Sequence, residues 1–176
     1  MPHIMPEHGN DLPAFEALLE RSFGRSRHRK TVQKMRKHYL PAENLSFVML
    51  NDHDDVIGTI RLWNVNAGGV ETLLLGPVAI SPEYRNQGLG DALIRHALGR
   101  ANAFGHKAVI LVGDEPYYGR FGFTRNLTLN LKLPGPVDEQ RFLGHELVPG
   151  ALMEAHGLVA MAGSLAPKLP AKHKAA

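Results

Sequence analysis

The sequence Leu73-Leu-Leu-Gly-Pro-Val-Ala-Ile-Ser-Pro-Glu-Tyr-Arg-Asn-Gln-Gly-Leu-Gly-Asp-Ala-Leu93 joins an apolar strand to a glycine-rich turn and a helix. The residues from Leu73 to Ile80 form the longest apolar run in the chain, which predicts a strand near the centre of a sheet over residues 71–80. Proline cannot donate a hydrogen bond to a neighbouring strand. The pair Gly76-Pro77 therefore predicts a β-bulge inside this strand.

A bulge at this point has a consequence for the backbone that follows it. It would release the backbone groups of Val78 and Ile80 from the neighbouring strand and spread the sheet open. Unpaired N–H and C=O groups in a cleft require a hydrogen-bonding partner. An extended ligand that carries amides would supply that partner by acting as an added strand.

The second unusual segment is Arg85-Asn-Gln-Gly-Leu-Gly90, at the start of the predicted helix. Its glycines allow a ligand to approach the backbone closely, and successive N–H groups at a helix N-terminus bind anions such as a pyrophosphate. The segment is not a Rossmann fingerprint, which needs a glycine where Leu93 stands. It also lacks the Gly-Lys-Ser/Thr of a P-loop. A simple tight packing of helix on sheet is the alternative interpretation.

On either side of this segment, the periodicity of apolar residues predicts an α/β chain with a mixed sheet. Antiparallel strands come first, and a crossover helix then joins two buried strands. The predicted helices cover residues 11–23, a short segment that follows the basic stretch 25–30 and ends at about residue 39, residues 89–104 and residues 116–121. The predicted strands cover residues 46–50, 56–65, 71–80, 107–112 and 123–133. We expect one domain over residues 1–162 and a flexible C-terminal tail over residues 163–176.

Composition excludes several classes of protein. The chain has 176 residues and no cysteine, which excludes thiolate nucleophiles and thiolate metal sites. The ten histidines show no metal-ligand spacing, so no metal is expected. A net charge of +3 is too small to indicate nucleic-acid binding, and no apolar run is long enough to span a membrane. A cytoplasmic protein is the expectation, and the oligomeric state stays open, with a homodimer among the options.

Two motifs in order resemble the GNAT superfamily of acyl-CoA-dependent N-acetyltransferases. The first is Arg/Gln-x-x-Gly-x-Gly/Ala after a bulged strand, matched by Arg85, Gly88 and Gly90. The second is aromatic-Tyr-x-x-x-Gly-Phe, matched by the segment from Tyr117 to Phe123. The resemblance covers residues 45–133 well and implies a GNAT-like α/β fold, in which helices flank a mixed central sheet splayed at a bulged strand.

The resemblance also implies roles for individual residues. The N–H of Val78 would face the thioester carbonyl of acetyl-CoA, and Ile80 would pair with the pantetheine arm. Tyr118 would be catalytic, protonating the departing thiolate, although it is alternatively a half-buried aromatic of the core. The residues assigned to cofactor binding are Val78, Ala79, Ile80, Arg85, Asn86, Gln87, Gly88, Leu89, Gly90 and Tyr117.

The base that deprotonates the acceptor is not assigned by the sequence. A lysine-like amine is neutral in only about one part in a thousand near pH 7.4, a deficit of about 4 kcal/mol. Some relatives carry a glutamate on the bulged strand for this step, but the matching position here is Leu74. Asp114 and Glu115 would act directly or through water, although capping of the short helix is the commoner role for such an Asp before Pro.

For two further groups of residues, the sequence allows either a structural or a functional role. Arg61 and Trp63 share one face of their strand, and that face lines the acceptor cleft or is covered by a helix. The basic cluster of residues 25–30 with Arg36-Lys-His38 would attract an acidic acceptor, or forms a solvated helical face, which is the commoner explanation.

The sequence therefore predicts an N-acetyltransferase that moves an acetyl group from acetyl-CoA, its cosubstrate, to a primary amine by direct attack in a ternary complex. The acceptor would be a small-molecule or peptide amine. The alternative is a non-catalytic acyl-CoA-binding regulatory module, which the missing carboxylate at Leu74 keeps open. Nucleic-acid binding through the basic N-terminal third is a third and weaker hypothesis.

Overall fold

The computed structural model describes residues 1–168. Its helices are α1 (Leu12–Phe23), α2 (Thr31–Arg36), α3 (Leu89–Ala103) and α4 (Glu115–Tyr118). Its strands are β1 (His3–Pro6), β2 (Ser46–Leu50), β3 (Val56–Ala67), β4 (Val70–Ile80), β5 (Ala108–Val112), β6 (Leu131–Lys132), β7 (Phe142–Glu146) and β8 (Gly157–Met161). The predicted mixed α/β fold with helices around a mixed sheet is confirmed.

The sheet has the strand order β1-β2-β3-β4-β5-β7, and β8 pairs with both β3 and β6. Among the described strands, β4–β5 and β6–β8 are the parallel pairs and the other pairs are antiparallel. The strand predicted over 71–80 is therefore central, as its apolar composition indicated, because β3 and β5 cover its two edges. Helix α3 makes the crossover between the parallel strands β4 and β5.

Two cores hold the site in place, one on each face of β4. Helix α3 buries Leu93, Ile94 and Ala97 against one face of the sheet. Helix α1 buries Phe15, Leu18 and Leu19 against the other face, where they meet Ala79. Because both faces of β4 are covered, the direction of each of its side chains is strongly specified.

The strand predicted over residues 123–133 is wrong. A 3₁₀ turn occupies Arg125–Leu127, and only Leu131–Lys132 pair as a strand. The hydroxyl of Thr124 accepts a hydrogen bond from the backbone N–H of Asn126. Such local side-chain bonds compete with a strand ladder, so alternating leucines alone do not make a strand. Leu129, one of those leucines, is largely exposed.

The predicted C-terminal tail begins with residues that hydrogen bond to the rest of the chain. The N–H of Leu40 donates to the carbonyl of Ser164, and the N–H of Ala166 donates to the carbonyl of His38. Residues 169–176 lie outside the described residues. The division into one domain and a tail stays a prediction.

In the described part of the chain, no helix has both the length and the apolar character that crossing a membrane requires. Within residues 1–168, no three His, Asp or Glu side chains gather in a way that would hold a metal ion.

Candidate active site

The predicted bulge lies in β4, beside Arg61 of the neighbouring strand β3. Val78 pairs with Ile60 and Leu75 pairs with Leu62, so Arg61 alone stands opposite two residues, Gly76 and Pro77. The extra residue shifts the alternation of side chains. Leu73 and Leu75 face the α3 core before the bulge, and Val78 and Ile80 face the same core after it.

Beyond the bulge, the sheet opens between β4 and β5. The parallel pairing between these strands is limited to Leu73 with Val109 and Leu74 with Ile110. On the other edge, the N–H of Ser81 donates to the carbonyl of Ile57 at 2.7 Å. Antiparallel pairs alternate between bonded and non-bonded positions, so the N–H and C=O groups of Val78 and Ile80 point away from β3 and into the opening.

The opening forms a cleft of about 470 Å³. One wall consists of the bulge, the end of β5 and the two tyrosines of α4. The other wall comes from α1, α2 and the segment that connects them, together with residues 136–138 and Arg141. The cleft therefore joins the β4 backbone groups, the predicted catalytic tyrosine and a helical wall.

The predicted anion-binding loop lies at the mouth of this arrangement, before α3. Residues 85–88 are exposed, and no side chain caps the helix. Gly88 has φ +75° and Asn86 has φ +61°, both in the left-handed region that turns successive N–H groups toward one side. The first N–H groups of α3 have no partner within the helix, so they are free for an anion.

Tyr117 packs directly against this loop. A methyl group added at Gly90 would lie 3.1 Å from the Tyr117 hydroxyl, so a side chain at position 90 would crowd it. The hydroxyl donates to Asp91 at 3.1 Å, and Arg120 donates to the same carboxylate oxygen at 2.9 Å. Burial, together with the bond to Asp91, raises the pKa of Tyr117. Tyr117 is thus held in a polar cluster beside the loop.

Tyr118 lies deeper and lines the cleft. Its ring stacks edge-on against Tyr117, with ring centres 4.9 Å apart, and its edge touches the backbone of Gly113. No described residue hydrogen bonds to its hydroxyl. Burial, followed by the nearby Tyr117 and Asp114, raises the pKa of Tyr118 to about 12. The phenol therefore remains protonated at neutral pH, as a proton donor must.

Comparison with known proteins decides the family. The profile of the acetyltransferase (GNAT) family matches residues 12–123, which include the bulge, the loop and both tyrosines. The chain belongs to the GNAT acetyltransferase family. The predicted family and enzyme class, N-acetyltransferase, are confirmed.

Two GNAT relatives are similar over most of the chain. The uncharacterized N-acetyltransferase YhbS of Escherichia coli K12 is 34% identical over 151 residues, which are 85% of this chain and 89% of YhbS. The crystal structure of E. coli YhbS in complex with CoA superposes with a TM-score of 0.77 over 92% of this chain and 89% of that chain, at 32% identity. A GNAT acetyltransferase from Brucella melitensis in complex with acetyl-CoA has a TM-score of 0.64 at 25% identity, over 96% of each chain.

The position that carries a base in some GNAT enzymes is apolar here, as the sequence indicated. Leu74 is fully buried in the core. The expectation that Asp114 caps the short helix is wrong, because its side chain makes no capping bond. Instead its carboxylate accepts a hydrogen bond from Arg141 at 3.1 Å, while Glu115 accepts from the backbone N–H of Arg125 at 3.4 Å.

Arg61 and Trp63 are covered by helices and do not line the cleft. Arg61 pairs with Glu7, with Nε 2.9 Å from Oε2, and stacks on Phe15 of α1 at 3.7 Å. Trp63 is buried, and its indole N–H donates to the carbonyl of Gly76 at 2.6 Å. Trp63 therefore satisfies a bulge carbonyl, a role for which the sequence carries no signal.

The basic N-terminal cluster is not simply a solvated face, and this expectation needs correction. The basic residues Arg25–Arg29 form a 3₁₀ turn, and the short helix predicted to follow the basic stretch is present as α2. Arg27 and Arg36 are buried, and both line the cleft. Sequence reasoning missed them as site residues because no local pattern distinguishes them from the arginines and lysines of the same cluster that are exposed.

We expect Trp63→Phe to lower the free energy of unfolding by about 1–3 kcal/mol, because the Gly76 carbonyl would be left buried without its donor. Urea unfolding measures the loss. Ile110→Val is the matched control, since it trims a fully buried side chain of the same core at a cost of about 0.5–1.5 kcal/mol and removes no hydrogen bond. An unfolding midpoint for Trp63→Phe at or above that of the control would contradict the prediction.

Proposed function

We propose that this GNAT enzyme binds acetyl-CoA in the cleft between β4 and β5 and transfers the acetyl group to a primary amine by direct attack. The observation that carries the proposal is the pair of inward-facing backbone sites at Val78 and Ile80, beside an uncapped glycine-rich helix start. The complexes of the two relatives with CoA and acetyl-CoA support it.

The pantetheine arm carries amides and would lie along β4 as an added strand. Ile80 would pair with one of these amides. The side chain of Arg85 already donates to the Ile80 carbonyl at 3.1 Å, but a carbonyl oxygen has two lone pairs and accepts a second bond. The pyrophosphate would then reach the N–H groups of Arg85 to Gly90, which lie at the N-terminal end of α3.

The N–H of Val78 would stabilise the oxyanion that forms when the amine attacks the thioester carbonyl carbon. A preorganised donor of this kind contributes about 3–4 kcal/mol to the transition state. The C–N bond forms, the C–S bond breaks, and the products are the acetamide and CoA. A covalent acyl-enzyme is not part of this route. The chain has no cysteine, the described lining of the cleft carries no serine, and the hydroxyl of Thr31 in that lining donates to the carbonyl of Pro136 rather than to a base.

Tyr118 would give its proton to the departing sulfur. With a pKa of about 12, the phenol is a weaker acid than a thiol in water. The cleft reduces the mismatch, because the low polarity that disfavours the phenolate also disfavours the thiolate. Tyr118 recovers its proton from water.

The acceptor amine must lose a proton before or after attack. Both carboxylates on the cleft wall already accept hydrogen bonds, Asp114 from Arg141 and Asp138 from the N–H of Gln140. Each carboxylate keeps free lone pairs, so the proton would leave to Asp114, to Asp138 or directly to water in the cleft. The rate is accordingly expected to increase with pH as more of the amine becomes neutral.

Calorimetry with acetyl-CoA tests the binding site, with Gly90→Ala and Gly99→Ala as the matched pair on α3. The added methyl meets the Tyr117 hydroxyl in Gly90→Ala and open space in Gly99→Ala. We expect the Kd to rise roughly fivefold, about 1 kcal/mol, only for Gly90→Ala. Absence of heat with wild type would overturn the proposal, and equal Kd values in the two variants would show that contact between position 90 and the Tyr117 hydroxyl does not affect acetyl-CoA binding.

A CoA-release assay with a panel of amines then separates the enzyme from the binding module. We expect wild type to release CoA only when an amine is present, with the acetylated amine detected by mass spectrometry. Tight acetyl-CoA binding with no turnover of any amine would support the regulatory module instead.

A further inference from the structure

Arg36 is a buried cation on the cleft wall. This residue is only 8% exposed, and within residues 1–168 its side chain makes one hydrogen bond, to the amide oxygen of Gln33 at 3.1 Å. Its guanidinium also lies over the ring of Trp63, 5.9 Å from the ring centre. A buried charge is costly unless it is paired, so the absence of a carboxylate partner among residues 1–168 calls for an explanation.

The comparable arginines of the same region are paired. Arg27 lies 2.7 Å from Glu16 and 3.1 Å from Glu20, and Arg61 is held by Glu7. Burial, followed by the positive charges of Arg61 and Arg27, lowers the pKa of Arg36 to about 10. The surroundings of Arg36 therefore disfavour a cation and favour an anion beside it, while the guanidinium stays charged at neutral pH.

Its free N–H groups face the cleft rather than the protein interior. In the described part of the chain, the only side-chain polar atom that is fully buried without a partner is the hydroxyl of Ser22. The free donors of Arg36 are therefore open to the solvent of the cleft that Arg36 lines. Four cationic side chains line this cleft against two carboxylates: Arg27, Lys30, Arg36 and Arg141, with Asp114 and Asp138.

Arg36 also lies close to the reacting centre of the proposed transfer. Its Nη1 is 3.1 Å from the point where a Cβ of Gly76 would be. Gly76 is two residues from Val78, a separation of at most about 7 Å along the backbone. Nη1 of Arg36 is thus within about 12 Å of the Val78 backbone, a span that a small molecule held by Arg36 would bridge to reach the thioester carbonyl.

We infer that the acetyl acceptor is a primary amine that also carries a carboxylate, and that Arg36 binds this carboxylate while the amine faces the thioester. The planar fork of a guanidinium matches a carboxylate with two parallel hydrogen bonds. The inference rests on the proposed acetyl transfer and specifies its acceptor. The short distance between Arg36 and Val78 favours compounds of amino-acid size.

The test is a kinetic panel in which each amino acid is assayed beside its carboxamide and its decarboxylated amine. We expect kcat/KM for the amino acids to exceed that for both neutral analogues at least tenfold. Arg36→Met keeps the apolar stem and removes the charge, and it should lower kcat/KM for the amino acids about 10- to 100-fold, mainly through KM. The rates for the decarboxylated amines, which carry no acceptor group for Arg36, and the Kd for acetyl-CoA should not change.

Two further variants distinguish recognition from a structural role. Arg36→Lys keeps a positive charge without the fork and should recover part of the preference for the carboxylate. Lys34→Met removes an exposed charge from the same helix and should change nothing. Calorimetry of the CoA-bound protein with the same panel reports the role of Arg36 separately from the chemistry.

The outcomes separate the two proposals. Equal rates for amino acids and neutral analogues in wild type would overturn the acceptor assignment and leave the acetyltransferase intact. An equal loss for all acceptors in Arg36→Met, with acetyl-CoA binding unchanged, would show that Arg36 only shapes the wall and would also overturn it. If acetyl-CoA does not bind and no amine reacts, the proposed function fails and the acceptor assignment fails with it.

Discussion

Replacing Tyr118 by Phe is expected to lower kcat for acetyl transfer by about 10²- to 10³-fold, the usual contribution of a positioned general acid. The change removes one hydroxyl that lines the cleft and has no bond to any described residue, so folding should be unaffected. Tyr117→Phe is the matched control, because its hydroxyl is engaged with Asp91 and lies beside the loop. It should change the KM for acetyl-CoA more than kcat.

The dependence of kcat on pH, compared between wild type and Tyr118→Phe, gives a second measurement. With a pKa raised to about 12, the acid form of Tyr118 persists through the alkaline range, whereas an unshifted phenol would deprotonate near its ordinary value. The wild-type rate should therefore not fall before about pH 10.5. If Tyr118→Phe is as fast as wild type at every pH, Tyr118 is not the general acid.

A second large effect is expected for Gly113→Ala, which leaves every polar group in place. The new methyl carbon would lie far inside contact distance of Cε2 of the Tyr118 ring and 2.7 Å from its Cδ2. The ring must move, and a displacement of about 1 Å at a reacting group costs roughly 10²-fold in rate. Steady-state kinetics should therefore show kcat reduced roughly 100-fold.

Gly119→Ala provides the control for this substitution. Gly119 follows Tyr118 directly, and an added methyl there meets nothing within 4 Å. Its kcat should stay close to that of wild type, and both variants should bind acetyl-CoA. Equal kcat values for Gly113→Ala and Gly119→Ala would show that the position of the Tyr118 ring does not limit catalysis.

The local chemistry of the strand–loop–helix segment could be predicted from the sequence because it depends on backbone properties of single residues. Pro77 cannot donate a hydrogen bond at any position in a sheet, and the register confirms the bulge it predicts. Gly88 adopts the left-handed conformation that glycine allows. The roles of these residues toward acetyl-CoA remain proposals.

The acceptor side of the site could not be predicted from the sequence, because it depends on which distant segments pack together. The basic cluster is one pattern along the chain, yet Arg27 is paired with α1 carboxylates while Arg36 has no carboxylate partner in the part of the chain that the structure describes. Strands β1, β7 and β8 were likewise not predicted. Each is at most five residues long, and its pairing is set by a distant partner, as when Glu146 of β7 pairs with Ala108.

Short-range patterns along the chain were enough to predict the family, the central bulged strand, the glycine turn and the tyrosine motif. The packing of distant segments was needed to show that Trp63 satisfies the Gly76 carbonyl, that Gly113 leaves room for Tyr118, and that Arg36 is buried with no carboxylate partner among residues 1–168. Burial and charge pairing depend on which segments, far apart in sequence, pack together, and no local pattern records that choice.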